Sequence, residues 1–145
     1  MDGVNGSEIP DLIRSHLATD DAWLETAWQR TLAWLDKRFG RQPGMEAILF
    51  LIGIQSQGRG YQRKLKKERK QDLIMEGTYC AFETLGIYHR VGADAEGNWI
   101  WEPTLPYVPK LPLEQQEKLL RLAVVRYFEP YVNSAGPERS DSSGA

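Results

Sequence analysis

Cysteine and histidine are scarce in this chain of 145 residues, and long apolar runs are absent. Cys80 is the single cysteine, so no intrachain disulfide can form, and the two histidines, His16 and His89, are too few for the usual zinc spacings. The longest uninterrupted apolar run, 47–52, has six residues, whereas a membrane-spanning helix needs about 20. The opening MDGVNGSEIPDL has neither a cationic start nor an apolar signal segment. We therefore expect a cytoplasmic protein without metal, cofactor or membrane span.

The composition is sufficient for one globular domain. Apolar residues make up 41% of the chain and include five Trp, six Tyr and four Phe, which is enough to bury a core at this length. The two ends differ from the rest, since both are polar and rich in small residues. We expect a flexible lead-in over 1–8, a single domain over 9–132 and a disordered tail over 133–145.

Four segments have the periodicity and end signals of helices. The first begins at an Asp20 or Asp21 cap, runs through Phe39 and stops at Gly40. The second follows Pro43, and its residues 47–54 are expected to be buried nearly all round. The remaining two are predicted from Lys66 to Leu85 and from Leu113 to Glu129, with Pro130 ending the last one.

A different pattern separates the last two helices. Apolar and polar residues alternate with a period of two between Gly86 and Pro103, interrupted by GADAEGN, which predicts a β-hairpin. Prolines 103, 106, 109 and 112 then recur every third residue, the period of a polyproline II helix. The predicted fold is mainly α: a compact bundle of four to five helices with one inserted β-hairpin (about 87–102) and a polyproline strut (103–112).

None of the catalytic or metal-binding motifs is complete. The stretch ILFLIGIQSQGRG (48–60) resembles a P-loop but has Arg59 and Gly60 where that loop needs Lys and Ser or Thr. The hairpin tip lacks the glycine position and distal Glu of a calcium loop. Cys80 falls on an apolar helix face, where a thiol is a packing group. Three acids share a helix face with Tyr79 and are interpreted as its solvated side, namely Asp72, Glu76 and Glu83. We therefore assign no catalytic residue.

Positive charge is concentrated in RGYQRKLKKERK, residues 59–70. This segment has seven basic residues and one acid, whereas the rest of the chain has 11 basic and 19 acidic residues. Such an imbalance has two explanations of equal weight. The segment contacts an anionic partner, either nucleic acid or polyphosphate, or it pairs with acids of the same chain. Two modes of nucleic-acid binding are compatible with this segment, a winged-helix arrangement and the binding of a single strand. The contact residues would be Arg59, Arg63, Lys64, Lys66, Lys67, Arg69 and Lys70.

The favoured hypothesis is a non-enzymatic protein-interaction or scaffold module, with self-association as one version. Five Trp residues and a polyproline strut exceed what packing one small domain requires, and aromatic side chains are enriched at interfaces. The candidate interface aromatics are Tyr88, Trp99, Trp101 and Tyr107. A third hypothesis is a small-ligand pocket covered by the hairpin Trp residues.

Overall fold

Five helices and one antiparallel β-hairpin make up the chain in a computed structural model, which describes residues 9–57, 67–95, 98–107 and 109–134. The elements are α1 (Asp11–Leu17), α2 (Asp21–Phe39), α3 (Met45–Gln57), α4 (Lys67–Glu83), β1 (Tyr88–Ala93), β2 (Trp99–Pro103) and α5 (Leu113–Ser134). The predicted mainly helical fold with one inserted hairpin is thus confirmed. The lead-in 1–8 and positions 135–145 of the predicted tail lie outside the described residues.

Helix α2 begins and ends where its capping residues indicate. The side chain of Asp20 accepts the Trp23 backbone N–H at 2.8 Å, and Gly40 adopts φ 79°, a left-handed conformation that only glycine takes without strain. Helix α1 was not predicted, because its seven residues are too few to show a periodicity. It is held by tertiary contacts instead: Nζ of Lys118 donates to the Leu17 carbonyl oxygen at 2.8 Å.

Helices α3 and α4 pack with their backbones close together. Gly53 lies against the Leu73 carbonyl and Gly77 against the Leu49 carbonyl, so closely that a Cβ atom at either glycine would overlap that oxygen. This approach is possible only because glycine lacks a side chain. The prediction that 47–54 is buried nearly all round is wrong at Ala47, which is exposed because it faces away from α4 and the core.

Helix α5 continues through Pro130 to Ser134, so the prediction that Pro130 ends it is wrong. A proline removes one backbone hydrogen bond, and in the last turn few others depend on it. The residues that follow gain packing in return. The ring of Tyr131 lies 6.1 Å from that of Trp34, and Val132 packs against the core.

The core lies where α5 meets the other helices, since α1, α2 and α4 all pack against it. Its most deeply buried side chains are Ile13, Leu35, Ile48, Ile52, Ile87, Leu122 and Val124. The hairpin packs through β1 on α4, and its ladder has an irregularity at Val91 between the pairs Arg90–Trp101 and Gly92–Ile100. In the segment predicted to be the polyproline strut, Leu111 is buried and Leu105 packs against the core, while Val108 lies outside the described residues.

Candidate functional site

Most of the predicted basic site lies outside the described residues. This holds for Arg59, Arg63, Lys64 and Lys66. Lys67 begins α4, but its side chain is likewise outside the description. Arg69 and Lys70 follow in the first turns, where Lys70 is exposed and its Nζ lies 5.8 Å from the ring centre of Phe50. The anion-binding hypothesis for this segment therefore stays a prediction.

The predicted interface aromatics of the hairpin contact the protein's own helices. Tyr88 and Trp101 are half-buried, and their ring centres lie 4.9 Å and 5.8 Å from that of Tyr79 on α4. Trp99 keeps 37% of its surface exposed while its indole N–H donates to the Ser56 carbonyl oxygen at 3.2 Å. Tyr107 is half-buried. The rings of Tyr88, Trp99 and Trp101 therefore attach the hairpin to α3 and α4. The role of all four aromatics in contacts with a partner stays a prediction.

The acidic stripe of α4 is not solvated along its whole length, so the interpretation of its three acids as a solvated side is wrong at Glu76. Glu76 is only 7% exposed, and its carboxylate accepts two hydrogen bonds: from the Ser56 hydroxyl at 2.8 Å and from the Trp101 indole at 3.1 Å. Asp72, one turn earlier, is exposed. The difference arises because α3 and the hairpin cover α4 at Glu76 and not at Asp72, which a helical-wheel projection cannot show.

Arg90 completes this polar cluster beneath the hairpin. Its guanidinium carbon lies 4.7 Å from the ring centre of Trp99 and 5.0 Å from that of Trp101, and the group pairs with Glu83 at 3.1 Å. It also donates to Sγ of Cys80 at 3.5 Å. Burial raises the pKa of the Cys80 thiol, and the positive charge of Arg90 only partly opposes this. The cysteine is therefore kept as a neutral, packed thiol, as the sequence indicates.

An open cleft at the C-terminal end of α2 offers a different kind of surface. We call it the aromatic cleft; it has a volume of about 470 Å³ and is lined by Trp34, Leu35, Arg38, Phe39, Leu51, Ile54, Gln55, Phe128 and Tyr131. Leu35 and Phe128 are buried, whereas Phe39 and Tyr131 remain 52% and 42% exposed. The cleft therefore presents a buried apolar floor and two partly exposed aromatic side chains.

Polar groups of the cleft are few and basic. The guanidinium carbon of Arg38 lies 4.6 Å from the ring centre of Trp34, a cation–π arrangement. Lys37 and Arg41 are its exposed neighbours along the chain. Within the described part of the chain, none of these three cations pairs with a carboxylate. Gln55 also lines the cleft and accepts the Tyr127 hydroxyl at 2.6 Å.

Sequence reasoning missed this cleft although it predicted parts of it. Trp34 and Phe39 lie in a helix predicted from its apolar periodicity, which gives no reason for one of them to be exposed. The prediction that Pro130 ends α5 leaves Tyr131 outside that helix. A usable signal is the run of cations at the end of α2, of which Lys37 and Arg38 suit the negative helix end.

Comparisons with known proteins do not assign a family, because no family model, no curated protein and no solved structure matches the chain. Within the described ranges, no group of three or more His, Cys, Asp and Glu is placed to hold a metal ion. Among the same residues, no helix has the length and apolarity required to cross a membrane. A function has to be argued from the surface itself.

Proposed function

We propose that this protein is a non-enzymatic interaction module and that a protein partner binds in the aromatic cleft. The observation that carries the proposal is the exposure of Phe39 and Tyr131 beside a concave apolar floor. Isolated exposed apolar residues are normal on protein surfaces, but two aromatic side chains beside an open cleft are typical of a binding site. Aromatic and Arg side chains also contribute most of the binding energy at protein interfaces.

The polar cluster beneath the hairpin supports this choice of surface by elimination. The rings of Tyr88 and Trp101 already pack on Tyr79, and the Trp101 indole already donates to Glu76. A partner would have to disrupt these contacts to use them. The aromatic cleft requires no such rearrangement, because Phe39 and Tyr131 are exposed in the free protein.

The experiment compares the wild-type chain with Phe39→Ala/Tyr131→Ala and with the control Met75→Ala/Val91→Ala. Met75 and Val91 are 56% and 46% exposed and do not line the cleft, so the control removes exposed apolar surface elsewhere. Light scattering over a wide concentration range measures self-association. Affinity capture from source cells, repeated with each purified candidate partner, measures hetero-association.

The proposal expects an association that the control variant retains and the cleft variant loses. If the partner is a second copy, light scattering shows an oligomer that only Phe39→Ala/Tyr131→Ala dissociates. An association that survives loss of both cleft aromatics and disappears in the Met75/Val91 variant would place the contact on another surface and end this proposal. Circular dichroism and thermal unfolding confirm that each variant is folded.

A further inference from the structure

We infer that the segment bound in the aromatic cleft is an acidic peptide that inserts one or two bulky apolar side chains. The inference rests on the proposed function and adds the chemistry of the partner. It follows from the charge around the cleft, the nature of its floor and the way in which the Trp34 ring is already used.

Charge complementarity indicates the sign of the partner. None of the cleft-lining side chains is acidic, and the exposed cations Lys37, Arg38 and Arg41 carry no ion pair within the described residues. At about 100° per residue, Asp36 and Lys37 lie on opposite sides of the α2 face that lines the cleft, each about 130° from its middle, so neither faces the cleft. The charge at the cleft is therefore that of Arg38, with the exposed Arg41 three positions further along the chain. Complementary potentials at an interface favour a partner of opposite sign.

Placement at the C-terminal end of α2 explains part of this charge, since cations there interact favourably with the negative end of the helix dipole. That effect does not require the neighbouring aromatic side chain to be exposed. Phe39 is the last residue of α2, and 52% of its surface is in water although the cleft floor lies beside it. The coincidence of unpaired cations with an exposed ring is what points to an acidic and apolar ligand.

The floor of the cleft selects apolar side chains rather than nucleobases. Leu35, Leu51 and Ile54 provide aliphatic surface, and a base inserted among them would leave its polar edge without hydrogen bonds. Single-stranded nucleic acids instead bind by stacking on exposed flat rings. The Arg38 guanidinium covers one face of the Trp34 ring, so stacking of bases would depend on the exposed rings of Phe39 and Tyr131, and an RNA probe tests this alternative. By contrast, the side chains of Leu and Phe have no hydrogen-bonding group, and that of Trp has only its indole N–H.

The test uses four probes: a reference peptide, two peptides that each change one of its properties, and an RNA. The first is a fluorescein-labelled 12-residue peptide with two Phe, one Leu and flanking Glu residues. The second has Gln in place of every Glu, and the third has Ala in place of Phe and Leu. The fourth is a 12-nucleotide single-stranded RNA. Binding is followed by anisotropy and by NMR shifts of the Trp34 indole and the Gln55 side-chain amide, both of which report on the cleft.

The matched protein variants each remove two positive charges. Arg38→Gln/Arg41→Gln removes them at and beside the cleft, whereas Lys70→Gln/Lys110→Gln removes them from exposed positions that do not line it. We expect the acidic peptide to bind about tenfold tighter than its Gln version, the factor given by two or three exposed ion pairs. Arg38→Gln/Arg41→Gln should remove most of this preference and Lys70→Gln/Lys110→Gln should leave it intact.

The outcomes separate this inference from the proposed function. Equal affinity for the Glu and Gln peptides, with shifts at Trp34 and Gln55, would overturn the acidic chemistry and leave the cleft as a docking site. Tight RNA binding that depends on Arg38 and Arg41, without peptide binding, would replace the peptide by a nucleic acid. Equal binding of the Ala peptide would overturn the apolar insertion. If neither Phe-containing peptide shifts a cleft resonance at millimolar concentration, both the inference and the proposed cleft fail.

Discussion

Glu76 and Trp101 join helix α4 to the hairpin through a buried side-chain hydrogen bond: Oε1 of Glu76 accepts the Trp101 indole N–H at 3.1 Å. The second carboxylate oxygen accepts the Ser56 hydroxyl at 2.8 Å, so one side chain connects α3, α4 and β2. A two-stranded hairpin is at best marginally stable by itself. Its position in this protein therefore depends on such contacts with the helices.

Replacing Glu76 by Ala should lower the free energy of unfolding by about 2–3 kcal/mol. The substitution leaves the Ser56 hydroxyl and the Trp101 indole without acceptors in a buried site, and each such loss costs about 1–3 kcal/mol. Asp72→Ala is the matched control, because Asp72 lies one turn away on the same helix and is exposed. We expect it to change the free energy by less than about 0.5 kcal/mol. Urea unfolding followed by circular dichroism measures both, and similar values for the two variants would contradict the structural role of Glu76.

Adding a methyl group at Gly53 or Gly77 should disrupt the packing of α3 on α4. The new Cβ would overlap the Leu73 or the Leu49 carbonyl oxygen, so the two helices would have to move apart. We expect Gly53→Ala and Gly77→Ala each to cost about 3 kcal/mol, in the upper range for an overpacked core. Gly44→Ala serves as the control, since no atom lies within 4 Å of its added Cβ. It should cost less than about 1 kcal/mol in thermal or urea unfolding, and equal losses at Gly44 and Gly77 would refute the close approach.

Alkaline pH should destabilise the fold partly through Tyr127. Burial raises the pKa of this phenol well above its usual value of 10, and its hydroxyl donates to Gln55 at 2.6 Å. Below pH 10 the phenol is protonated in both states, so nothing is lost. Above pH 10 the unfolded state releases the proton first, and stability falls as pH rises towards the folded pKa. Because the Tyr127 side chain is only half-buried and solvent screens part of this effect, the loss at pH 11 stays below about 1 kcal/mol.

The variant Tyr127→Phe isolates this contribution. Its free energy of unfolding should differ from that of the wild type by a constant amount between pH 7 and 9, where the phenol is protonated. Between pH 10 and 11 the variant should lose about 0.5 kcal/mol less than the wild type. Parallel curves across the whole range would show that Tyr127 ionises equally easily in the folded and unfolded states.

The basic segment 59–70 gives a separate prediction about nucleic acids. If five of its cations contact phosphates of duplex DNA, the log–log salt slope is about −4.5, and affinity falls several-hundred-fold between about 50 and 200 mM salt. Fluorescence anisotropy with single- and double-stranded DNA and RNA measures this. Lys66→Glu/Lys67→Glu should abolish the binding, whereas Arg30→Glu/Lys110→Glu, which reverses two exposed charges elsewhere, should reduce it only slightly. Absence of binding at 50 mM salt would reject the prediction.

Local signals in the sequence were sufficient for the secondary structure of most of the chain. Asp20 and Gly40 are the residues that begin and end α2, and the alternation around His89 and Trp101 corresponds to the hairpin. These features act over a few residues, through backbone hydrogen bonds and allowed dihedral angles, so they can be read without knowing the fold. Helix α1 cannot be predicted from such local signals, because its seven residues rely on contacts with Leu85 and Lys118, which are distant in the chain.

The candidate site depended on information of a different kind. Nothing near Pro130 in the sequence indicates that α5 continues, because Tyr131 gains its packing from Trp34, almost a hundred positions earlier. Similarly, the pattern of α4 gives Asp72 and Glu76 the same polar side, while only α3 and the hairpin decide which of them is buried.

The sequence by itself determined the helical class, the hairpin and the scarcity of metal-binding or disulfide-forming residues, since these depend on residue type and short-range periodicity. Only the tertiary structure decided that Glu76 is buried and that Phe39, Arg38 and Tyr131 meet at an open cleft. The physical reason is that burial is a property of what several elements cover together. A residue's own neighbours in the chain determine its position on a helix, but distant segments determine whether that position is exposed to solvent.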